Sequence, residues 1–190
     1  MSVTMTSHKK LFLLALLACF SARLQAQIEV AHLMTKGMSS TGFGTFIHGA
    51  FPVGKGDDVS LEAGLYYFSP SDTHVAFIPF LLGYRHTFDN SGAGFYVEPF
   101  GGYSIGATDI QQTDANGNGL YNSDGSPIYV KLSGATAGLG FGYIIPSPKV
   151  PINFGLRYDH IFVTGGRPAQ SLLALRVSWS LLTGRRLQGH

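Results

Sequence analysis

The feature that most limits what this chain can become is a period-two alternation of apolar with small or polar residues, renewed between turn clusters from residue 27 onward. That period puts successive side chains on opposite faces of extended strands, and no comparable stretch carries the helical period. It marks strands over 28–34, 41–53, 59–68, 76–88, 94–107, 131–145, 152–163 and 171–182. Eight strands at about 20 residues per strand and connection suit consecutive hairpins and leave no room for crossover helices.

The connections alternate in kind. The second, fourth and sixth, at 54–58, 89–93 and 146–151, are tight turns of Gly, Pro, Asp and Asn, whereas the other set includes 108–129, by far the longest. An even strand number with short turns at one end and longer loops at the other predicts an all-β, eight-stranded antiparallel up-and-down transmembrane β-barrel, N- and C-termini periplasmic. The two faces support this. In the third strand Val59, Leu61, Ala63, Leu65 and Tyr67 share one side, and in the last Leu173, Leu175, Val177, Trp179 and Leu181 do. The opposite faces hold about one charge per strand and are otherwise Gly, Ser and aromatic, which would not keep a barrel solvated. Only 13% of the chain is charged, against about 25% in an ordinary soluble domain. Lipid outside and the polar face inside satisfies both halves. Phe51, Tyr84, Phe88, Phe95, Tyr143 and Trp179 lie towards the turn ends and Phe43, Tyr67, Tyr103, Tyr158 and Phe162 towards the loop ends, the two aromatic belts expected of a bilayer-spanning barrel.

Residues 1–26 read as a cleaved secretory signal, with Lys9 and Lys10 before an apolar run over 11–20 and a small-residue site at Leu24-Gln25-Ala26. The run is too short for a spanning helix, which needs roughly 17–25 residues. Leu16-Leu17-Ala18-Cys19 offers lipidation at Cys19 as the competing reading. The barrel domain then occupies 27–190, with 10 basic against 11 acidic residues and no cysteine, so no disulfide framework. No dense basic stripe is present to neutralise nucleic-acid phosphates, and a hydrophobic content of 45% with 13% aromatics excludes a disordered chain.

Segments such as Ile78-Pro79-Phe80-Leu81-Leu82-Gly83-Tyr84-Arg85, Gly94-Phe95-Tyr96-Val97-Glu98-Pro99 and Gly155-Leu156-Arg157-Tyr158 resemble the small outer-membrane β-barrel family of Gram-negative bacteria, the OmpA/OmpX-type eight-stranded barrels. The resemblance covers essentially the whole of 27–190 and implies fold and outer-membrane location rather than an activity. The chain departs from the family at its end, where Thr183-Gly184-Arg185-Arg186-Leu187-Gln188-Gly189-His190 replaces a terminal aromatic. Pro79 and Pro99 inside strands predict local bulges or lost ladder bonds.

The inward charges read from the alternation are Glu62, Arg85, Glu98, Arg157, Asp159 and Arg176. Glu62, Arg85 and Glu98 fall at similar depth, so Arg85 is expected between two carboxylates with His48 facing Glu62, and Arg157, Asp159 and Arg176 are expected as a second group. An eight-stranded barrel is just wide enough for side chains to fill, so His48, Glu62, Arg85, Glu98, Arg157, Asp159 and Arg176 predict a structural, charge-balanced salt-bridge network plugging the lumen. The alternatives are an acid/base pair of Glu62 and Glu98 or an anion-selective constriction lined by the arginines. Inward Gly138, Gly140 and Gly142 either make room for bulky neighbours or border a small cavity. Asp114-Ala115-Asn116-Gly117-Asn118-Gly119 matches the opening of a calcium loop, but Gly125 stands where its bidentate acid belongs, with Asp124 one place early; Asn-Gly turn chemistry is the alternative.

The expected function is structural, or surface binding of an extracellular ligand or protein through the loops, chiefly 108–129, by a monomer in outer-membrane lipid. No cofactor and no catalytic residue is expected. A narrow porin-like channel is the second reading. A lipid-modifying outer-membrane enzyme, using a Ser/His or Asp/His pair near the rim, is the third; Asp159 and His160 are sequence neighbours and point to opposite faces.

Overall fold

The computed structural model describes residues 23–36, 38–70, 73–89, 92–147, 150–165 and 167–181. Among them are nine strands: β1 (Arg23–Thr35), β2 (Met38–Pro52), β3 (Asp57–Phe68), β4 (Val75–Thr87), β5 (Gly94–Gln111), β6 (Tyr129–Lys131), β7 (Gly134–Ile145), β8 (Ile152–Val163) and β9 (Gln170–Ser180). All pairings are antiparallel and follow the order β4-β3-β2-β1-β9-β8-β7-β5, with β4 pairing β5 to close an eight-stranded barrel. The start of β1 and the end of β9 meet at the turn end, Gln25 opposite Ser180.

Outside, the alternation exposes Phe43 and Phe95, 68% and 69% accessible, with Ile47, Leu61, Phe80, Leu82, Phe141, Leu175 and most of both aromatic belts, Phe51 and Trp179 being half-buried. Leaving this surface exposed to water would be unfavourable at every strand, whereas hydrocarbon accepts it once the closed ladder has satisfied the backbone groups.

The strands differ from expectation in five places, each with a local cause. β1 begins at Arg23, opposite Ala50, so its ladder takes in residues 23–26 ahead of the expected cleavage point. The segment expected as one strand over 131–145 is interrupted at Leu132 and Ser133, although Ala107↔Lys131 and Ser104↔Gly134 keep a common register across the break. β5 runs on to Gln111, and the segment beyond it folds back through the bridges Thr113↔Gly119 and Tyr121↔Pro127. The connection from β1 to β2 is as tight as a turn, although it lies at the loop end. The prolines cost ladder pairs but no bulge. β3–β4 pairing skips from Ala63↔Phe80 to Tyr66↔Phe77, and β4–β5 pairing from Gly83↔Phe100 to His86↔Val97, each resuming in the same register. Pro79 still pairs Ser104 and Pro99 still pairs Leu139, so each ring nitrogen sits on the interrupted side, where an N–H would have donated. The signal reading of 1–22, Cys19 included, and the terminal segment 183–190 lie outside the described residues.

Candidate functional site

The inward positions of the eight barrel strands meet in the lumen and divide it into three layers. The middle layer is ionic. Arg157 donates from Nε to Asp159 at 2.9 Å and from Nη2 at 2.8 Å, and pairs through Nη1 with Glu62 and, at 3.6 Å, with Glu29. Its guanidinium lies 4.4 Å from the Phe100 ring centroid and 5.3 Å from that of Phe46, a desolvated cation between two π faces. Arg176 spreads over three carboxylates, donating to Glu29 at 3.0 Å, Glu98 at 3.3 Å and Glu62 at 3.4 Å. Arg85 donates to Glu98 at 2.8 Å and packs 4.5 Å over the Tyr96 ring. His48 stands opposite Glu62 in the β2–β3 ladder, ring nitrogen to carboxylate 3.4 Å. All seven residues singled out in the sequence are buried, and all are joined in one chain of contacts.

The wiring differs from the expected one. Arg85 touches Glu98 and not Glu62, because the stagger of the barrel puts Arg85 opposite Asp58 and Glu62 opposite Leu81 on neighbouring strands. Arg176 bridges the two groups that depth counting keeps apart. Sequence reasoning also missed Glu29, fully buried, which accepts from Arg176 and from the Tyr66 hydroxyl, and Gln27, which donates to Glu62 at 3.1 Å. With Glu29 the layer holds four carboxylates against three guanidiniums, with the His48 imidazole beside Glu62, so the arginines alone do not balance it.

The second layer, towards the loop end, is apolar. Leu33, Phe68, Val75, Phe77, Ile161 and Leu172 are almost fully buried and pack with Val130 of β6 and Leu132 just beyond it. Leu132 keeps the inward phase of Val130 and Gly134 across the interruption before β7, and so joins this plug. Towards the turn end the lumen is polar, and Gln27 Oε1, His48 Nε2, Arg85 Nε, Thr87 Oγ1 and both side-chain polar atoms of Asn153 have no protein partner.

The inward glycines face rings. A Cβ on Gly64 would enter the Phe46 ring, one on Gly138 the Phe100 ring, and one on Gly142 would meet the Tyr96 hydroxyl at 2.5 Å. Gly140 alone of these has room, 3.6 Å from Glu98 Cβ. A small lumen cavity of about 10 Å³ is lined by Ser60, Glu62, Leu81, Gly83, Glu98, Phe100 and Arg176, away from Gly138 and Gly142, and has room for about one water.

At the loop end, Asp114 Oδ1 accepts from the backbone N–H of Asn116 and Asn118 at 2.8 and 2.9 Å, and Gly117 turns the chain with φ +84°. The Asn118 N–H and side chain hold the Asp114 carboxyl below the usual carboxylate range, and Ser126 does the same for Asp124. Turn chemistry accounts for this motif, and the described residues contain no group of three or more His, Cys, Asp or Glu placed to share a metal ion.

On the outer face at that end, each ring nitrogen of His32 contacts a hydroxyl, Thr41 at 3.0 Å and Ser39 at 2.9 Å. His160 Nδ1 lies 2.9 Å from Ser171 Oγ, with the Tyr158 hydroxyl 3.5 Å away. Asp159 points into the lumen, as strand alternation requires.

No family model matches the chain, and no curated protein matches it. Among solved structures it is similar to Neisserial surface protein A, at 16% identity and TM-score 0.54, over 83% of this chain and 96% of that one. It is likewise similar to Ail, the attachment invasion locus protein of Yersinia pestis, solved with the heparin analogue sucrose octasulfate, at 9% identity and TM-score 0.56, over 84% of this chain and 97% of that one. What is shared at these identities is the fold, the closed eight-stranded barrel of outer-membrane proteins.

Proposed function

We propose that this chain is exported by a cleaved signal, resides as a monomer in the bacterial outer membrane with the loop end outward, and acts as a non-conducting scaffold presenting its loops to an extracellular ligand or protein. The observation that carries this reading is the double closure of the lumen. A path through the barrel would have to cross both the ionic layer around Arg157 and the apolar layer around Phe77, and the cavity between strands is water-sized. The seven lumen residues His48, Glu62, Arg85, Glu98, Arg157, Asp159 and Arg176, with Glu29, serve structure in this reading, because their charges are spent on one another. The unpartnered polar atoms at the turn end call for water, which gives the barrel a wet periplasmic vestibule that ends blind.

Class is tested first by fractionation and electrophoresis. The protein should appear in the outer-membrane fraction and migrate faster unheated than boiled, as a folded barrel does; a soluble fraction with no heat-dependent shift would refute the reading.

The contact between Ser171 Oγ and His160 Nδ1 favours a second reading, a lipid-acting hydrolase with Ser171 as nucleophile and His160 as base. No carboxylate among the described residues hydrogen-bonds His160, so the orienting third member is missing. Release of fatty acid from outer-membrane lipid that disappears in Ser171→Ala would establish it, and no release by the folded wild type would remove it.

A further inference from the structure

The charges at the loop end are unevenly distributed. The β1–β2 connection carries Lys36 and the β8–β9 connection carries Arg167, both exposed, and neither 35–41 nor 163–170 contains an acid. Across the rim lie Asp109 at the end of β5 and Asp114 and Asp124 on the segment that follows it, together with Lys131 of β6. The two basic connections also form one platform. Thr35 Oγ1 donates to the Ala169 carbonyl at 3.2 Å, and Gln170 Nε2 donates to Thr35 Oγ1 at 3.1 Å. β1 and β9 are adjacent in the ladder, so Lys36 and Arg167 project from neighbouring hairpin ends.

Directly below, on the lipid-facing side of β2, β1, β9 and β8, lies the band of Ser39, Thr41, His32, Ser171, His160 and Tyr158. On these strands apolar Val30, Leu173, Leu175 and Phe162 surround the band and are exposed, and Tyr67, Ser69 and His74 form a like cluster at the β3–β4 end. Hydroxyls and imidazoles on a lipid-facing surface are costly at hydrocarbon depth and favourable among headgroups. The band therefore marks the level at which the polar part of a lipid meets the protein, and the two cationic residues lie on the connections at the loop-end side of it.

We propose that this sector is a binding site for the phosphate-bearing headgroup of an outer-leaflet lipid, with Lys36 and Arg167 as counter-charges and the His32 and His160 clusters as hydrogen-bonding partners. Guanidinium and ammonium groups are the side chains suited to phosphate oxygens, Arg through its planar fork and Lys as a point charge. The proposal rests on the loop end facing outward, and it goes beyond that reading by naming one sector of the rim and one lipid chemistry. The acidic sector opposite would repel the same headgroup, so the barrel would carry a preferred lipid on one side only.

The test uses the full barrel in nanodiscs of zwitterionic lipid, doped with a phosphorylated glycolipid or with the same lipid after phosphate removal, and measures bound glycolipid after tagged-nanodisc exchange. Wild type should prefer the phosphorylated form by about thirtyfold, the scale of two surface cations at a charged membrane. Lys36→Gln with Arg167→Gln should abolish the preference, while Lys131→Gln, from the other sector, should keep it. Equal binding of both lipids by wild type, or an unchanged preference in the double variant, would overturn the proposal. Displacement of the lipid by millimolar inorganic phosphate would also overturn it, showing a free-anion site instead. Each protein is first checked for the heat-dependent shift, so that loss of the barrel reading itself is seen separately.

Discussion

At the scale of single residues the account turns on which charges are buried together. Arg157 is 1% exposed and its partners Glu62 and Asp159 are buried with it. Arg157→Ala leaves both carboxylates short of a counter-charge and should lower the unfolding free energy of the detergent-folded barrel by about 3–5 kcal/mol, read from urea titration. Arg157→Lys should recover part of the loss, since it restores charge but not the fork that holds Asp159. Arg85→Ala should also destabilise, and an unchanged melting temperature there would defeat the network account. Gly64→Ala should cost about 1–3 kcal/mol through overlap with Phe46, whereas Gly140→Ala, with 3.6 Å to its neighbour, should be tolerated. In the long loop the ionised Asp114 accepts the bonds, so its depressed pKa stabilises the turn above the ordinary carboxylate range and that contribution is lost as pH falls through the lowered value. An amide-shift titration of Asn118 should show a midpoint below that of an unstructured Asp; a midpoint at the ordinary value would contradict the bond pattern. Seven buried lumen residues were legible from alternation, because charges on an otherwise apolar or small strand stand out. Glu29 was not, since Ala31 and Leu33 beside it on the inner face are as apolar as Ile28 and Val30 on the outer one.

At the scale of elements, the strands were legible where one face is lipid and the other ionic or small, as in β3 and β8. The outward extension of β5 escaped because Thr108, Asp109 and Gln111 read as loop residues, and the break at Leu132 and Ser133 escaped because the alternation runs through it. Val130 and Leu132 reach the lumen from the returning arm of the long loop, in phase with the inward residues of β7. Val130→Ser with Leu132→Ser should release that arm, exposing the 108–129 segment to protease while the heat-dependent shift persists. Loss of the barrel itself would mean that the arm is needed for closure. Pro99 faces a gap in the β4–β5 ladder. Pro99→Ala restores a donor there and should slow amide exchange on the neighbouring part of β4, around Tyr84 and Arg85.

At the scale of the whole molecule, low charge, abundant glycine and paired aromatic belts follow from one arrangement: hydrocarbon outside, and a narrow interior where glycines admit rings and arginines. Topology and membrane class were legible because turns, loops and belts are periodic features of the chain. The way the lumen closes was not, because the stagger of a barrel brings together residues such as Glu29, Glu62 and Arg157 from β1, β3 and β8. The central claim is that this interior is sealed. Planar-bilayer recording of the purified, heat-shifting barrel tests it most directly: the account predicts a silent membrane at physiological salt, and steady, reproducible single-channel steps from the wild-type protein would contradict it.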